Sequence, residues 1–348
     1  MSDDRWRETV NRRDVLSGVT LAGAAALFGI GPKLAAAEPP PETTTIRLIY
    51  DPDNSGLCEA PVFVAAELLR GEGFTDVRYV KMMEKTVVQP PTLVAGLADM
   101  SAAYLVDLIA AIDLGMPVVM LAALHGGCQE LVATDRVRTI RDLRGKKIAV
   151  TGLGWGDHLV FSNMLAYIGM NPRKDVQWVT DLPVPEWIQS LAEGKIDALW
   201  AYPPMVQEMR TKKIGHVILK AATDRPWSQY ACCMLGARRE FVQKYPVATK
   251  RVLRAMLKAT QVCTSEPEKT ARYLMDKGFN LGASYPETLQ TLKDVSYTAW
   301  RDYNPEAALL FHALRLRETG YLKKTPQEII AQGTDWRFLN ELKKELKG

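Results

Sequence analysis

Several stretches of this chain combine residue types at spacings that suit binding or reacting with a small molecule. Gly154, Trp155, Gly156, Asp157 and His158 end a glycine-rich run, Thr151–His158, that opens an apolar helical pattern. Backbone N–H groups at such a helix start suit anions, each adding ~0.3–1 kcal/mol through the dipole. Trp155 stands between two glycines, and with Tyr104, Tyr202 and Trp227 it offers a stacking wall for a flat ligand. Asp53, Asn54 and Ser55 precede Cys58, which falls at the start of the first helical pattern, where the positive helix end lowers a thiol pKa. His125 is followed by Gly126 and Gly127, Ser101 and Tyr104 follow the short third strand pattern, and Tyr202 and Pro203 follow the apolar run at 196–200. Most of these residues also have a structural reading. Tyr104 fits a core position, His125 fits a hydrogen-bonded crossing residue, Asp157 fits an N-cap, and Trp227 fits packing better than ligand contact.

These residues have to be positioned by elements, and the chain states its pattern of elements twice. Residues 76–99 read DVRYV, a spacer, then LVAGLAD; residues 175–197 read DVQWV, a similar spacer, then LAEGKID. Asp76 aligns with Asp175, Gly96 with Gly194 and Asp99 with Asp197. Each copy follows an apolar strand (45–50 and 146–150) and a helical segment, so each reads strand, helix, strand, helix, strand. Two such α/β units predict two lobes with a cleft between them, ligands binding at the carboxyl ends of the strands. The loops after the strands, which hold the residues named above, then face that cleft. The last third is helical in pattern, with segments 238–244, 246–264, 266–277, 285–293, 304–318 and 325–331.

Length and composition agree. A chain of 348 residues is long for one compact domain, and 47% hydrophobic with 24% charged residues is ordinary for a globular protein with a real core. The formal charge of +4 without long basic blocks excludes nucleic acid as a partner. The glycine-rich loop lacks dinucleotide spacing, because counting from Gly152 and Gly154 the third glycine falls at Asp157. Five cysteines, an odd number with Cys232 and Cys233 adjacent, do not form a disulfide framework. There is no C-x2-C and the four histidines are far apart in sequence, so the spacing predicts no metal site and no structural zinc. No cofactor is expected.

Residues 1–37 read as an export signal. Arg12-Arg13-Asp14-Val15-Leu16 resembles the bacterial twin-arginine pattern, a weak apolar run follows, and Ala35-Ala36-Ala37 offers a cleavage site. The apolar run is shorter than the roughly 18–20 residues a spanning helix needs. The expected organisation is the signal, a linker at 38–43, lobe one at 44–131, lobe two at 132–230, and lobe one again at 231–348, with the chain crossing the hinge twice. The address is the periplasm, reached through the twin-arginine pathway.

The run Leu143-Arg144-Gly145-Lys146-Lys147-Ile148-Ala149-Val150, the loop at 152–158, Asp175-Val176, Leu191-Ala192-Glu193-Gly194 and the run from Asp197 to Pro204 together resemble the sulfonate/nitrate/taurine type of periplasmic solute-binding protein. That broad family also includes proteins related to thiamine-pyrimidine synthesis. The resemblance implies a type II periplasmic binding-protein fold, two α/β lobes closing on a small organic ligand. It also implies delivery to an ABC permease and ATPase, by a monomer that is not membrane-embedded and is not an enzyme. Family precedent suggests an organic anion, sulfonate or aromatic carboxylate, although no arginine stands in a cleft loop of either unit. The alternative is an enzyme on the same scaffold, desulfinase-like, with Cys58 as nucleophile and His125 or His158 beside it. A third reading is a sensor subunit whose closed form docks on a signalling receptor.

Overall fold

The computed structural model describes residues 38–50, 55–83 and 91–346. The chain opens with β1 (Thr45–Ile49), α1 (Ala60–Gly71), β2 (Asp76–Val80), α2 (Pro91–Val94), β3 (Met100–Tyr104), α3 (Leu105–Asp113) and β4 (Val118–His125). It continues with β5 (Glu130–Ala133), β6 (Lys147–Ala149), α4 (Gly156–Tyr167), β7 (Gln177–Val179), α5 (Trp187–Ala192), β8 (Ala198–Ala201), α6 (Met205–Lys212) and β9 (His216–Lys220). β10 (Cys233–Arg238) follows, then α7 (Arg239–Lys244), α8 (Pro246–Ser265), α9 (Pro267–Lys277), α10 (Tyr285–Asp294), α11 (Ala299–Asp302), α12 (Pro305–Glu318), α13 (Pro326–Gly333) and α14 (Arg337–Glu345).

The strands form two five-stranded sheets of matching order, β2-β1-β3-β10-β4 and β7-β6-β8-β5-β9. In each, one strand enters from the other half of the chain and runs antiparallel to both neighbours: β10 between β3 and β4, and β5 between β8 and β9. This is the two-lobed, doubly crossing type II architecture that the duplicated pattern predicts. No helix among the described residues is long and apolar enough to cross a membrane.

The duplication is visible atom by atom. Asp99 accepts the amide of Arg47 at 3.0 Å, and Asp197 accepts the amide of Lys147 at 3.0 Å. Each aspartate also holds an arginine, Arg47 at 2.6 Å in the first lobe and Arg136 at 2.8 Å in the second. Those arginines reach back to the carbonyls of Gly96 and Gly194. Both glycines have positive φ, 71° and 68°, the left-handed turn a helix end requires and only glycine adopts cheaply. The repeated Gly-x-x-Asp is therefore a helix stop followed by a carboxylate that ties the next strand to the first one.

Two elements escape the periodic pattern. The crossing expected at 124–135 contains β5, and the one expected near Tyr230–Leu235 contains the first half of β10. Both strands are almost wholly buried. A strand covered on both faces shows no alternation of polar and apolar residues, so its period is silent in sequence.

The C-terminal helices span both lobes. α8 packs along α1 over the first-lobe core, while Phe311 of α12 stacks on Tyr230 at 4.2 Å and meets Trp227 at 5.4 Å. Arg173 of the second lobe donates to the carbonyls of Thr319 and Gly320, and Arg210 of α6 pairs with Asp294 of α10 at 2.8 Å.

Candidate functional site

The antiparallel insertion of β10 builds the site. Cys233 pairs with Tyr104 on one side and with His125 on the other, so the ends of β3 and β4 flank it. The Cys232 amide donates to the His125 carbonyl at 3.1 Å, and the Leu105 amide donates to the Cys232 carbonyl at 2.9 Å. Cys58 enters from the turn Leu57–Glu59 that leads into α1, and Cys128 from the crossing after β4. The donor atoms of Cys58, His125 and Cys128 lie within 4.8 Å of one another, as do those of His125, Cys232 and Cys233. Four of the five cysteines thus converge on one imidazole; the fifth, Cys263, is buried in α8.

His125 is 1% exposed, and its orientation is fixed. Nδ1 lies 2.7 Å from the Gly126 carbonyl, which can only accept, so Nδ1 carries a proton and donates it. Nε2 is buried and makes no hydrogen bond among the described residues, and the imidazole lies within 4.8 Å of the thiols of both sets. The Cys128 thiol donating to Cys58, together with the charge on His125, brings the Cys58 thiol down to about 6. Burial opposes a charge on His125, but the Cys58 thiolate outweighs it and lifts the imidazole to about 9. Burial likewise opposes a charge on Cys232, yet the Cys128 thiol proton, which it shares with Cys58, and the Cys233 thiol hold its thiol well below the ordinary value. Beside Cys58, burial and the neighbouring thiolate push the Glu59 carboxyl up to about 8 against a hydrogen bond from Ser55.

The two lobes meet at these loops. The Leu57 amide donates to the Pro203 carbonyl at 3.1 Å, and the Tyr202 ring lies 3.9 Å from where a β-carbon on Gly56 would stand. Across the cleft, a β-carbon on Gly156 would stand 2.7 Å from the Asp107 carboxyl and 2.8 Å from the Tyr104 ring. Asp107, held by the Gly156 amide, is pushed well above the usual carboxylate range by burial and by the nearby Asp157. A cavity of about 40 Å³ lies between the lobes, with Tyr104, Trp200, Trp227 and Tyr230 supplying aromatic walls and Gln129, Cys232 and His312 polar ones. Trp200 Nε1 is buried without a hydrogen-bond partner among the described residues.

Among the expected site residues, Ser55, Tyr104, His125, Gly156, Tyr202 and Pro203 come together at this junction. Gly126 faces Tyr303 and Gly127 packs on Ala221, so both sit where the crossing segments touch, and Gly127 also borders the cavity. Asp157 is neither an N-cap nor a free group: Trp155 occupies the cap position, and the Asp157 carboxyl accepts from Thr151 and the His158 amide. The Trp155 ring covers Gly152 of its own loop, and Gly154 provides the positive φ of 85° and donates to His158. His158 is tied away from the cleft, between the Gly154 amide and the Tyr321 hydroxyl at 3.2 Å, and burial lowers it to about 4. Ser101 lies within β3, its hydroxyl donating to the Ala102 carbonyl. Asp53 and Asn54 lie outside the described residues, as does the 1–37 segment. Trp227 packs in the second-lobe core and also lines the cavity. Sequence reading missed Cys128, Cys232, Cys233, Asp107 and Trp200; an odd cysteine count with an adjacent pair was the one available signal.

The chain belongs to the NMT1-like family, which it matches over residues 55–275. It is 22% identical over 276 residues to the nitrate/nitrite binding protein NrtA of Nostoc sp., covering 72% of this chain and 61% of that protein. The chain therefore spans about three fifths of that curated relative. In fold it is similar to the periplasmic nitrate-binding protein NrtA from Synechocystis, with a TM-score of 0.72 at 18% identity over 89% of this chain and 90% of that one. It is likewise similar to the alkanesulfonate-binding protein SsuA from Xanthomonas axonopodis, bound to MOPS, with a TM-score of 0.67 at 16% identity over 85% and 99%.

Proposed function

We propose that this protein is an exported solute-binding protein that traps a small organic molecule between its lobes and delivers it to an ABC permease and ATPase. The observation that carries this reading is the aromatic cavity at the carboxyl ends of the strands, bounded by both lobes and lined by Trp200, whose Nε1 has no hydrogen-bond partner among the described residues. Trapping requires no chemistry; ligand contacts from both lobes select the closed arrangement over open ones a few kcal/mol away. Export by the twin-arginine route belongs to the same proposal, resting on Arg12-Arg13 and the small-residue stretch before Glu38.

For the solute, the site favours a compact, uncharged, polarisable molecule with a hydrogen-bond acceptor over the organic anion that family precedent suggests. The cavity lining includes no lysine or arginine, and the nearby Asp107 and Glu59 would repel an anion if ionised. Mass spectrometry of small molecules released on denaturing the purified protein tests this, with thermal shift on adding each compound back. A compound at near-unit stoichiometry that raises the melting temperature, and does so less with Trp200→Phe, supports the reading. A protein that releases nothing and is stabilised by no compound of a broad panel overturns it.

One observation favours a second reading. Cys58 and His125 form a thiolate–imidazolium arrangement of the kind nucleophilic cysteines use. Turnover of a sulfinate or acyl compound that is abolished by Cys58→Ser would establish it. A folded protein whose Cys58 resists a small thiol probe from pH 6 to 9 would remove it.

A further inference from the structure

Solute capture does not require four thiols on one histidine. We propose that Cys58, Cys128, Cys232, Cys233 and His125 form a site for a thiophilic closed-shell cation, and that the ion is Cu(I). Thiolate sulfur with imidazole nitrogen is the donor set that soft ions select over the hard cations. The spacing is close to that of a bound ion: bonds of about 2.3 Å place two sulfurs about 3.8 Å apart, and Cys232 Sγ stands 3.8 Å from Cys233 Sγ. Within each three-member set the donor atoms lie within 4.8 Å of one another, so binding in one set draws them in by about an ångström.

The imidazole is set up as ligating histidines are. Its Nδ1–H is committed to the Gly126 carbonyl at 2.7 Å, which leaves Nε2, buried and without a hydrogen bond among the described residues, as the nitrogen for an ion beside the thiols. The Gln129 amide donates to Cys232 Sγ at 3.0 Å, a second support for a ligating thiolate. All five donors come from the first lobe and its two crossing segments, so the site does not depend on lobe closure. The preference for Cu(I) follows from number: the donors form two three-member sets sharing His125, whereas structural zinc takes four ligands around one point. Binding is acid–base chemistry alone, with Cu(I) replacing thiol protons that pass to water and no change of oxidation state.

This inference goes beyond solute capture, since the ion binds whichever solute the cleft takes. The test is a titration of the reduced full chain, without oxygen, against Cu(I) held by bicinchoninate, with Zn(II) held by a colorimetric chelator in parallel. The expected result is transfer of about one Cu(I) per chain with near-ultraviolet thiolate-to-copper absorbance. Affinity should fall more than about 100-fold in the double variant Cys58→Ser/Cys232→Ser, which leaves neither three-member set intact, and stay unchanged in Cys263→Ser. Should a serine variant fail to fold, Cu(I)-dependent protection of Cys58 and Cys232 from a thiol probe in the unaltered protein gives the same answer. No transfer from bicinchoninate, or equal affinity in all variants, overturns the site; Zn(II) uptake without Cu(I) uptake overturns the copper assignment. Cu(I) uptake by a protein that releases no solute supports this site while solute capture fails alone, and solute release without Cu(I) uptake does the reverse.

Discussion

The amide of Leu57 donates to the carbonyl of Pro203 across the cleft at 3.1 Å, one residue ahead of Cys58. The loop carrying Cys58 is therefore tied to the other lobe by a main-chain hydrogen bond. On the opposite side of the junction, Gly156 lets α4 approach Tyr104 and Asp107 more closely than any side chain would permit.

Gly156→Val should hold the lobes apart. The added methyls enter space already filled by Asp107 and Tyr104, and overpacking of this kind costs about 1–3 kcal/mol, or about a ten- to hundred-fold loss of solute retention. Small-angle scattering should show a larger radius of gyration at unchanged helix content. An unaltered radius with unaltered retention would show that this contact does not set closure.

His125→Gln should move the titration of Cys58 upwards. In the unaltered protein the labelling rate of Cys58 by iodoacetamide should inflect near pH 6, and in the variant nearer the ordinary thiol value of 9.0. The stability consequences have opposite signs. The contribution of His125 is complete below its unfolded value of 6.5 and is lost as pH rises through about 9. That of Cys58 is complete above 9.0 and is lost as pH falls through about 6. The pair titrates as a unit, so the stability gap between the two proteins should narrow above pH 9.

Asp107→Asn should cost little near pH 4 and stabilise at pH 8. The folded carboxyl holds its proton more tightly than the unfolded one, whose ordinary value is 3.8, because burial and Asp157 oppose its charge. Stability of the unaltered protein therefore falls as pH climbs from about 4 towards the folded value, and the amide lacks that slope. Urea midpoints at pH 4.5 and 7.5 check this; a gap that does not change with pH would show that Asp107 does not titrate differently in the two states.

Asp99→Ala should be the more damaging of the two repeat-aspartate substitutions. Asp99 is 4% exposed at its side chain and holds both Arg47 and Arg238, whereas the Asp197 partner Arg136 is 57% exposed. Removing one member of a buried pair costs about 3–5 kcal/mol, and an exposed pair contributes about 0–1 kcal/mol. Asp197→Ala keeps that weaker penalty plus the loss of the Lys147 amide bond. Chemical denaturation of the two variants should rank them in that order.

The architecture was legible in the chain because duplication repeats local necessities. Gly96 and Gly194 stop helices with a conformation only glycine tolerates, and Asp99 and Asp197 satisfy strand amides a few residues on. The glycine stops are local, and each aspartate follows its glycine by three positions, so the pair leaves a mark that repeats although the strand it ties lies about fifty residues earlier. The cleft loops followed from them, which is why Ser55, Tyr104, His125, Tyr202 and Pro203 fall at the junction. Tertiary structure alone decided the chemistry inside it. Cys58, Cys128 and the Cys232-Cys233 pair are separated by up to 175 positions and meet because β10 inserts antiparallel between β3 and β4. That strand is buried on both faces and shows no period, so neither its partners nor the thiol cluster it assembles can be read until the sheet is closed. Likewise His158, similar to His125 in its surroundings of glycine and apolar residues, is turned to Tyr321 by helices from the far end of the chain. Local sequence fixes where loops end; long-range pairing fixes which side chains those loops bring face to face.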